Sequence, residues 1–403
     1  MIMRSDFVLS TPVVLLVFNR PQQTRRVFEA IRTARPPKLL IVADGPRANR
    51  PEEPALCTEV LNICQEVDWP CEVITNFAST NMGCRNRVAS GLTWAFEQVQ
   101  EAIILEDDCL PHESFFRFCQ ELLDRHRDDT SVAMISGDCF LPGGYNRTCA
   151  SYFFTRYAHI WGWATWRRAI QHYDVTMKKW PEVNSQGWLE DFFQNDPTLV
   201  AYWRSIFTQV YNGHINTWDY QLMLSFWLRG MISICPARNL ISNIGFGADA
   251  THTKEANPRA NMLVHEMKFP LVAPSTLTPD ALADECAAWS VYGVPAFKGS
   301  WRMQMLFNQI PSSLHSLSEQ QRHEFCGTII SLATIALQGG DAAIALELAE
   351  LCATIGSRIE GLFYMKGLCS LALGDRQSAK ANFEIELSRY PNNTQAREMY
   401  SNL

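Results

Sequence analysis

A mostly parallel α/β sheet domain followed by a small all-α domain is the architecture predicted by the 403-residue sequence. Three observations predict it: short aliphatic runs alternating with amphipathic stretches in the N-terminal part, a proline-bearing break after Phe269, and a repeat of small residues near the C-terminus. A composition of 47% hydrophobic and 19% charged residues supplies the core that such a fold needs. At ~100–200 residues per domain, the length fits two domains or one large and one small.

The first run, Val13 to Phe18, is short and rich in valine and leucine, which favours a strand, and a helical pattern follows near Thr24 to Thr33. Leu39 to Ala43 and Cys71 to Thr75 read as the next strands, then Arg85 to Gln98 as a helix. Ala102 to Leu105 is a further strand, Ser114 to His126 an amphipathic helix, and Ala133 to Ser136 a fifth strand. Strands alternating with helices call for a parallel sheet covered on both faces. From about Tyr152 to Phe269 tryptophans and tyrosines dominate, and this region is expected to cover the sheet. Pro270, Pro274, Pro279 and Pro295 then mark a connection. Ala333, Gly340 and Ala345 recur 34 residues later as Gly367, Gly374 and Ala379, small residues where paired helices approach closely, and a last helix is expected near Thr394 to Tyr400.

The formal charge is 35 − 42 = −7, so the chain offers no basic footprint and nucleic acid is not an expected partner. Val13 to Phe18 is far short of the ~20 apolar residues that cross a bilayer, and no transmembrane span or signal peptide is read. Thirteen cysteines, an odd number with no CxxC pair, signal neither a zinc site nor a disulfide framework. A cytoplasmic protein with reduced thiols is expected, with peripheral contact at the inner membrane left open.

In an open parallel sheet, ligands bind outside the carboxyl ends of the strands. There the first run ends in Asn19-Arg20, the second in Asp44-Gly45, the fourth in Glu106-Asp107-Asp108 and the fifth in Gly137-Asp138. A single acid at a strand end is ordinary turn chemistry. Three adjacent carboxylates repel one another unless a cation or donors stabilise them. Oxygen ligands suit Mg2+ or Mn2+, which share one or two carboxylates with substrate phosphates. No GxxxxGK[ST] motif is present, and no GxGxxG follows the first strand, so a P-loop NTPase and a dinucleotide-binding dehydrogenase are disfavoured. Arg85 and Arg87, at or near a helix N-terminus, offer donors to a diphosphate or sugar, or are solvent-exposed helix arginines.

The segments VVLLVFNRP, LLIVADGPR, NMGCRNRVASGLTWAFE and AIILEDDCLPHESFFRFC, followed by HIWGWATWRRA, TWDYQ and NLISNIGFGADATHT, resemble the nucleotide-diphospho-sugar transferases of the GT-A fold. The similarity is to a bacterial group of glycosyltransferases sometimes labelled haemolytic proteins, and more remotely to N-acetylglucosaminyltransferase I. It spans about residues 10 to 272. It implies a GT-A domain over residues 1–272, a connecting segment over 273–315 and helical repeats over 316–403. The repeats, with Phe383 and Pro391 completing their second unit, resemble the tetratricopeptide repeat, although Ser370 stands where that family has a large aromatic.

The resemblance implies a metal-dependent glycosyltransferase, of hexosyl or N-acetylhexosaminyl type. It would pass a sugar from a nucleotide diphosphate donor, a uridine diphosphate sugar by preference, to a glycan or protein hydroxyl with inversion. Carried over by position, Asp108 would contact Mn2+ or Mg2+, Glu106 and Asp107 would lie beside the ribose and sugar, and Asp44 would accept from the nucleobase. Arg20 would meet the nucleotide, Asp219 of TWDYQ would be the base, and His252, after the loop Gly245-Phe246-Gly247, would reach the metal or diphosphate. Two other readings stay open. One is an adaptor working through its helical repeats, by partner recruitment or self-association, with an inactive α/β domain. The other is a nucleotidyltransferase.

Overall fold

The computed structural model describes residues 7–141, 150–246, 261–292, 294, 319–338, 342–354 and 359–403. The chain divides into two compact units, Met1–Cys139 with Arg147–Asp284, and Phe140–Asn146 with Glu285–Leu403.

The first unit is built on an eight-stranded sheet of β1 (Val13–Val17), β2 (Lys38–Ala43), β3 (Glu72–Phe77), β4 (Glu101–Glu106), β6 (Val132–Ser136), β7 (Tyr152–Thr155), β8 (Trp163–Trp166) and β9 (Ile232–Pro236). Their order is β3-β2-β1-β4-β8-β6-β9-β7. β1 pairs in parallel with β2 on one side and β4 on the other, Leu15 facing Ile41 and Leu105. β2–β3 and β6–β9 are also parallel, whereas β8 runs antiparallel to both β4 and β6, and β7 to β9. β5 (Cys109–Pro111) and β10 (Ile241–Asn243) form a separate antiparallel pair.

Every residue of β1 is buried, which is why that strand reads as a continuous apolar run. Helix α1 (Pro21–Ala34) opens with a proline, whose missing N–H costs nothing in a first turn. It buries Thr24, Val27, Phe28 and Ile31, the i, i+3, i+4, i+7 stripe, and stops at Arg35, a left-handed residue whose N–H bonds the Ile31 carbonyl. Helices α2 (Glu53–Cys64), α3 (Cys84–Gln98) and α4 (Ser114–Arg125) follow. Phe115, Phe118 and Leu122 of α4 join Val13, Leu15, Phe28, Ile41, Ile103 and Leu105 in one core. Each such side chain contributes ~1.5–3 kcal/mol by leaving water.

The aromatic region does more than cover the sheet: it supplies β7, β8 and β9. The four residues of β8 are all buried, tryptophans included, so the alternation that marks a half-exposed strand is missing. The remainder forms α5 (Arg167–Ile170), α6 (Trp180–Ser185), α7 (Trp188–Phe192), α8 (Pro197–Tyr211) and α9 (Asp219–Trp227). Trp203, Phe207 and Trp227 make a second aromatic cluster there, with ring centroids 5.0 to 5.7 Å apart.

Helix α10 (Ala281–Ser290) stands within the stretch read as connecting segment. Its buried Asp284 accepts from Thr155 Oγ1 at 2.5 Å and from Arg156 Nε at 2.8 Å. The C-terminal region is helical: α11 (Glu319–Gln338), α12 (Ala342–Thr354), α13 (Leu362–Ala372), α14 (Arg376–Arg389) and α15 (Thr394–Ser401). Ala333, Ala345 and Ala379 are fully buried, as positions of close helix approach require; Gly340 lies outside the described residues. Among the described residues no helix is long and apolar enough to cross a membrane.

Candidate functional site

The chain leaves β1 through α1 towards β2 on one side, whereas β4, reached from β3 through α3, lies on the other. The loops after β1 and β4 therefore diverge, and the crevice between them is where open α/β sheets bind ligands. Arg20 stands on the first loop, its carbonyl held by Thr24 N–H at 2.9 Å and Thr24 Oγ1 at 2.7 Å. On the second loop, Asp107 Oδ2 accepts from Phe18 N–H at 3.2 Å, tying the end of β4 to the end of β1. Arg20 Nη1 closes the crevice floor, 2.6 Å from Asp108 Oδ2 and 3.5 Å from Asp107 Oδ1.

Burial, followed by the neighbouring carboxylates, raises the pKa of both Glu106 and Asp107, with Arg20 opposing the rise. Asp219 comes to the same rim from a distant stretch of sequence: the preceding Trp218 stacks on Trp163, which pairs with Ile104 two residues before Glu106, and the charge of Asp219 adds to the rise at Glu106. Asp219 is the first residue of α9 and accepts from Thr217 Oγ1. Cys84 opens α3, and burial first, then Glu106 and Asp219, push its thiol up to about 12, against the pull of Arg20. It is therefore a neutral thiol at physiological pH.

The segment around Tyr173 braces the rim. Tyr173 Oη donates to the Trp218 carbonyl at 3.0 Å, beside Asp219, and Arg85 Nη2 donates to the Val175 carbonyl at 2.8 Å. Burial first, then Asp219, raises the Tyr173 pKa, with Arg85 opposing.

Asp44 stands at the end of β2 with four donors on its carboxylate. Oδ1 accepts from Gly45 N–H (2.9 Å) and Met82 N–H (2.8 Å), and Oδ2 from Asn81 Nδ2 (3.0 Å) and Gly83 N–H (3.1 Å). Its two oxygens hold the loop that launches α3. Arg87 is no solvent-exposed helix arginine: it is 6% exposed, with Nε 3.0 Å from the Ala43 carbonyl and Nη2 2.8 Å from Asn76 Oδ1. It joins the ends of β2 and β3. Trp163 is fully buried and stacked on Trp218, with ring centroids 6.2 Å apart.

Among the described residues no three His, Cys, Asp or Glu side chains converge as a ready cage for a metal ion. The rim nonetheless fits a hard cation shared with phosphates: its donors are carboxylate oxygens, and a cation of the chain's own, Arg20, already rests on Asp108 Oδ2. Gly245 shapes the other side of Asp108. A Cβ there would lie 2.1 Å from Asp108 Oδ2, and Ile244 N–H donates to the Asp108 carbonyl at 2.8 Å. His252 lies outside the described residues.

The structure thus gathers Arg20, Asp44, Arg85, Glu106, Asp107, Asp108 and Asp219 about one end of the sheet. Sequence reasoning missed Asn81 and Tyr173, neither of which carries a motif of its own. It also missed the approach of Gly245 to Asp108, although the glycine-rich loop was visible.

No model of a known family matches the chain, and no curated protein matches it. Among solved structures it is similar to the mannosyltransferase PcManGT from Pyrobaculum calidifontis in complex with GDP-Man and Mn2+. The identity is 9%, the match covers 96% of this chain and 89% of the other, and the TM-score is 0.35.

Proposed function

We propose that the protein is a divalent-metal-dependent glycosyltransferase with a GT-A domain and a tetratricopeptide-like helical region. It transfers a sugar from a nucleoside diphosphate donor, uridine diphosphate by preference, to a hydroxyl of a glycan or protein with inversion. The observation that carries this reading is the convergence at the strand switch point of a guanidinium, three successive carboxylates and a helix-opening aspartate. Transfer from a diphosphate needs positive charge for the phosphates and a carboxylate base for the acceptor hydroxyl, and Arg20 and Asp219 are residues of those two kinds.

In this mechanism Asp108 would hold the cation through a carboxylate oxygen, with His252 a second candidate ligand. A cation bound there offsets the negative charge that builds on the leaving diphosphate. Arg20 and Arg85 supply donors to the diphosphate and sugar, and Glu106 and Asp107 line the ribose and sugar side. Asp44 serves the nucleotide through the loop it holds. Asp219 takes the proton of the acceptor hydroxyl as its oxygen forms the new bond to the anomeric carbon. The bond from that carbon to the phosphate oxygen breaks, and its electron pair leaves with the nucleoside diphosphate. The helical region would recruit an acceptor protein or a second copy of the chain.

The test is thermal unfolding of the full chain with uridine diphosphate, with and without Mn2+. A ligand at 100 times its Kd stabilises the folded state by about 2.7 kcal/mol. A rise in Tm that requires both nucleotide and metal is expected. No shift with uridine, guanosine, cytidine or thymidine diphosphate at millimolar concentration would overturn the reading.

A further inference from the structure

The carboxylate assigned to the cation is already engaged. Asp108 Oδ2 has the Arg20 guanidinium at 2.6 Å on one side and the Gly245 backbone on the other, so close that a Cβ at Gly245 would overlap it. Oδ1 faces the Cys109 thiol at 3.6 Å. The side chains of Arg20, Asp107 and Asp108 are only 17%, 9% and 15% exposed, so water screens this pair little. A divalent ion meets Oδ2 only after the guanidinium has moved, because two cations on one carboxylate oxygen repel each other. The backbone of Arg20 is pinned by Thr24, which leaves the side chain as the part that swings. A diphosphate gives it a destination, since a guanidinium matches phosphate oxygens in a forked geometry and draws more charge there than from a carboxylate.

We propose that Arg20 is a latch on the metal site: it neutralises Asp108 in the nucleotide-free protein and passes to the phosphates of an arriving nucleoside diphosphate, releasing Asp108 to the divalent cation. Cation and diphosphate then bind as a coupled pair, and the cation alone binds weakly. The inference rests on the metal and nucleotide assignments made above, but it concerns the order and coupling of binding and not the reaction.

The experiment is Mn2+ binding to the full chain, read from the electron paramagnetic resonance signal of the free ion. It is run with Mn2+ alone and with saturating uridine or guanosine diphosphate, corrected for Mn2+ held by the nucleotide itself. Wild type is expected to bind Mn2+ at least ~10-fold more tightly with nucleotide, the scale of one charge-assisted hydrogen bond. Arg20→Gln is expected to tighten Mn2+ binding without nucleotide by roughly the same ~10-fold and to lose most of the coupling. Should Arg20→Gln not unfold cooperatively, Arg20→Lys, which keeps the charge but not the fork, decides: a smaller tightening is expected. Mn2+ alone binding the folded variants no more tightly than wild type overturns the latch, while nucleotide-dependent Mn2+ uptake by wild type leaves the enzymatic reading standing. If wild type takes up no Mn2+ with either nucleotide, both fall.

Discussion

Replacing Asp44 with asparagine separates two roles that the sequence leaves together, holding a loop and meeting a nucleobase. Asp44 is 8% exposed, and its carboxylate receives four donors, two on each oxygen, at 2.8 to 3.1 Å. An asparagine keeps one oxygen, which can serve Gly45 N–H and Met82 N–H. Its amide nitrogen then faces Gly83 N–H and Asn81 Nδ2, donor against donor. Asn81 cannot turn its amide without giving up its 2.9 Å bond to the Gly45 carbonyl. The substitution therefore removes two hydrogen bonds to a charged acceptor and strands at least one donor, a loss of about 2–3 kcal/mol. Urea unfolding followed by tryptophan fluorescence reports on the first unit, which holds every tryptophan except Trp289 and Trp301. A lower midpoint is expected, with weaker nucleotide binding as its consequence, because the loop opens α3 beside Arg85. Unchanged stability together with lost nucleoside diphosphate affinity would refute the reasoning and return Asp44 to the nucleobase.

Three further predictions follow from other parts of the molecule. Asp219→Asn should lower turnover by ~10²–10⁴-fold, the range for a lost general base, while the Kd for nucleoside diphosphate stays near that of wild type; equal loss of both argues against a base. His126 is buried, with Nδ1 3.5 Å from Asp129 Oδ2 and, among the described residues, no hydrogen-bond partner on Nε2, and burial lowers its pKa against the pull of Asp129. The unfolded chain takes up that proton first, so stability falls as pH drops through about 6.5 and levels off below the folded value. His126→Gln should flatten that part of the profile, checked by urea unfolding on both sides of the transition. Gly367→Ala places a Cβ 2.4 Å from Phe383 Cε1, in a ring that is fully buried. Overpacking of ~1–3 kcal/mol outweighs a helix-propensity gain of at most ~1 kcal/mol, so the C-terminal helices should melt earlier by circular dichroism. An unchanged melt would mean that α13 and α14 do not approach so closely.

The strands that carry the site were legible because they are local signals. Val13 to Val17, Leu39 to Ala43 and Ala102 to Leu105 are continuous apolar runs, and burial on both faces of a parallel strand requires such runs. The polar residues that end them follow from adjacency alone, so the order of residues puts Arg20, Asp44 and the trio Glu106, Asp107 and Asp108 at strand ends. Strand β8 was not legible. Its tryptophans lie between β4 and β6, in an order that only long-range pairing sets.

By itself, the sequence determined the strands and helices of the N-terminal half of the sheet, where charge accumulates at their ends, and that the C-terminal region is helical, since each depends on residues within one or two turns of one another. Only the tertiary structure decided what those charges do. It set Arg20 on Asp108, spent both oxygens of Asp44 on the loop before α3, and buried Arg87 between two strand ends. It also stacked Trp218, the neighbour of Asp219, on Trp163 of β8. Each of these joins residues far apart in the chain, and a carboxylate or guanidinium chooses its partner by distance and burial in the folded state, neither of which is written in the order of the residues.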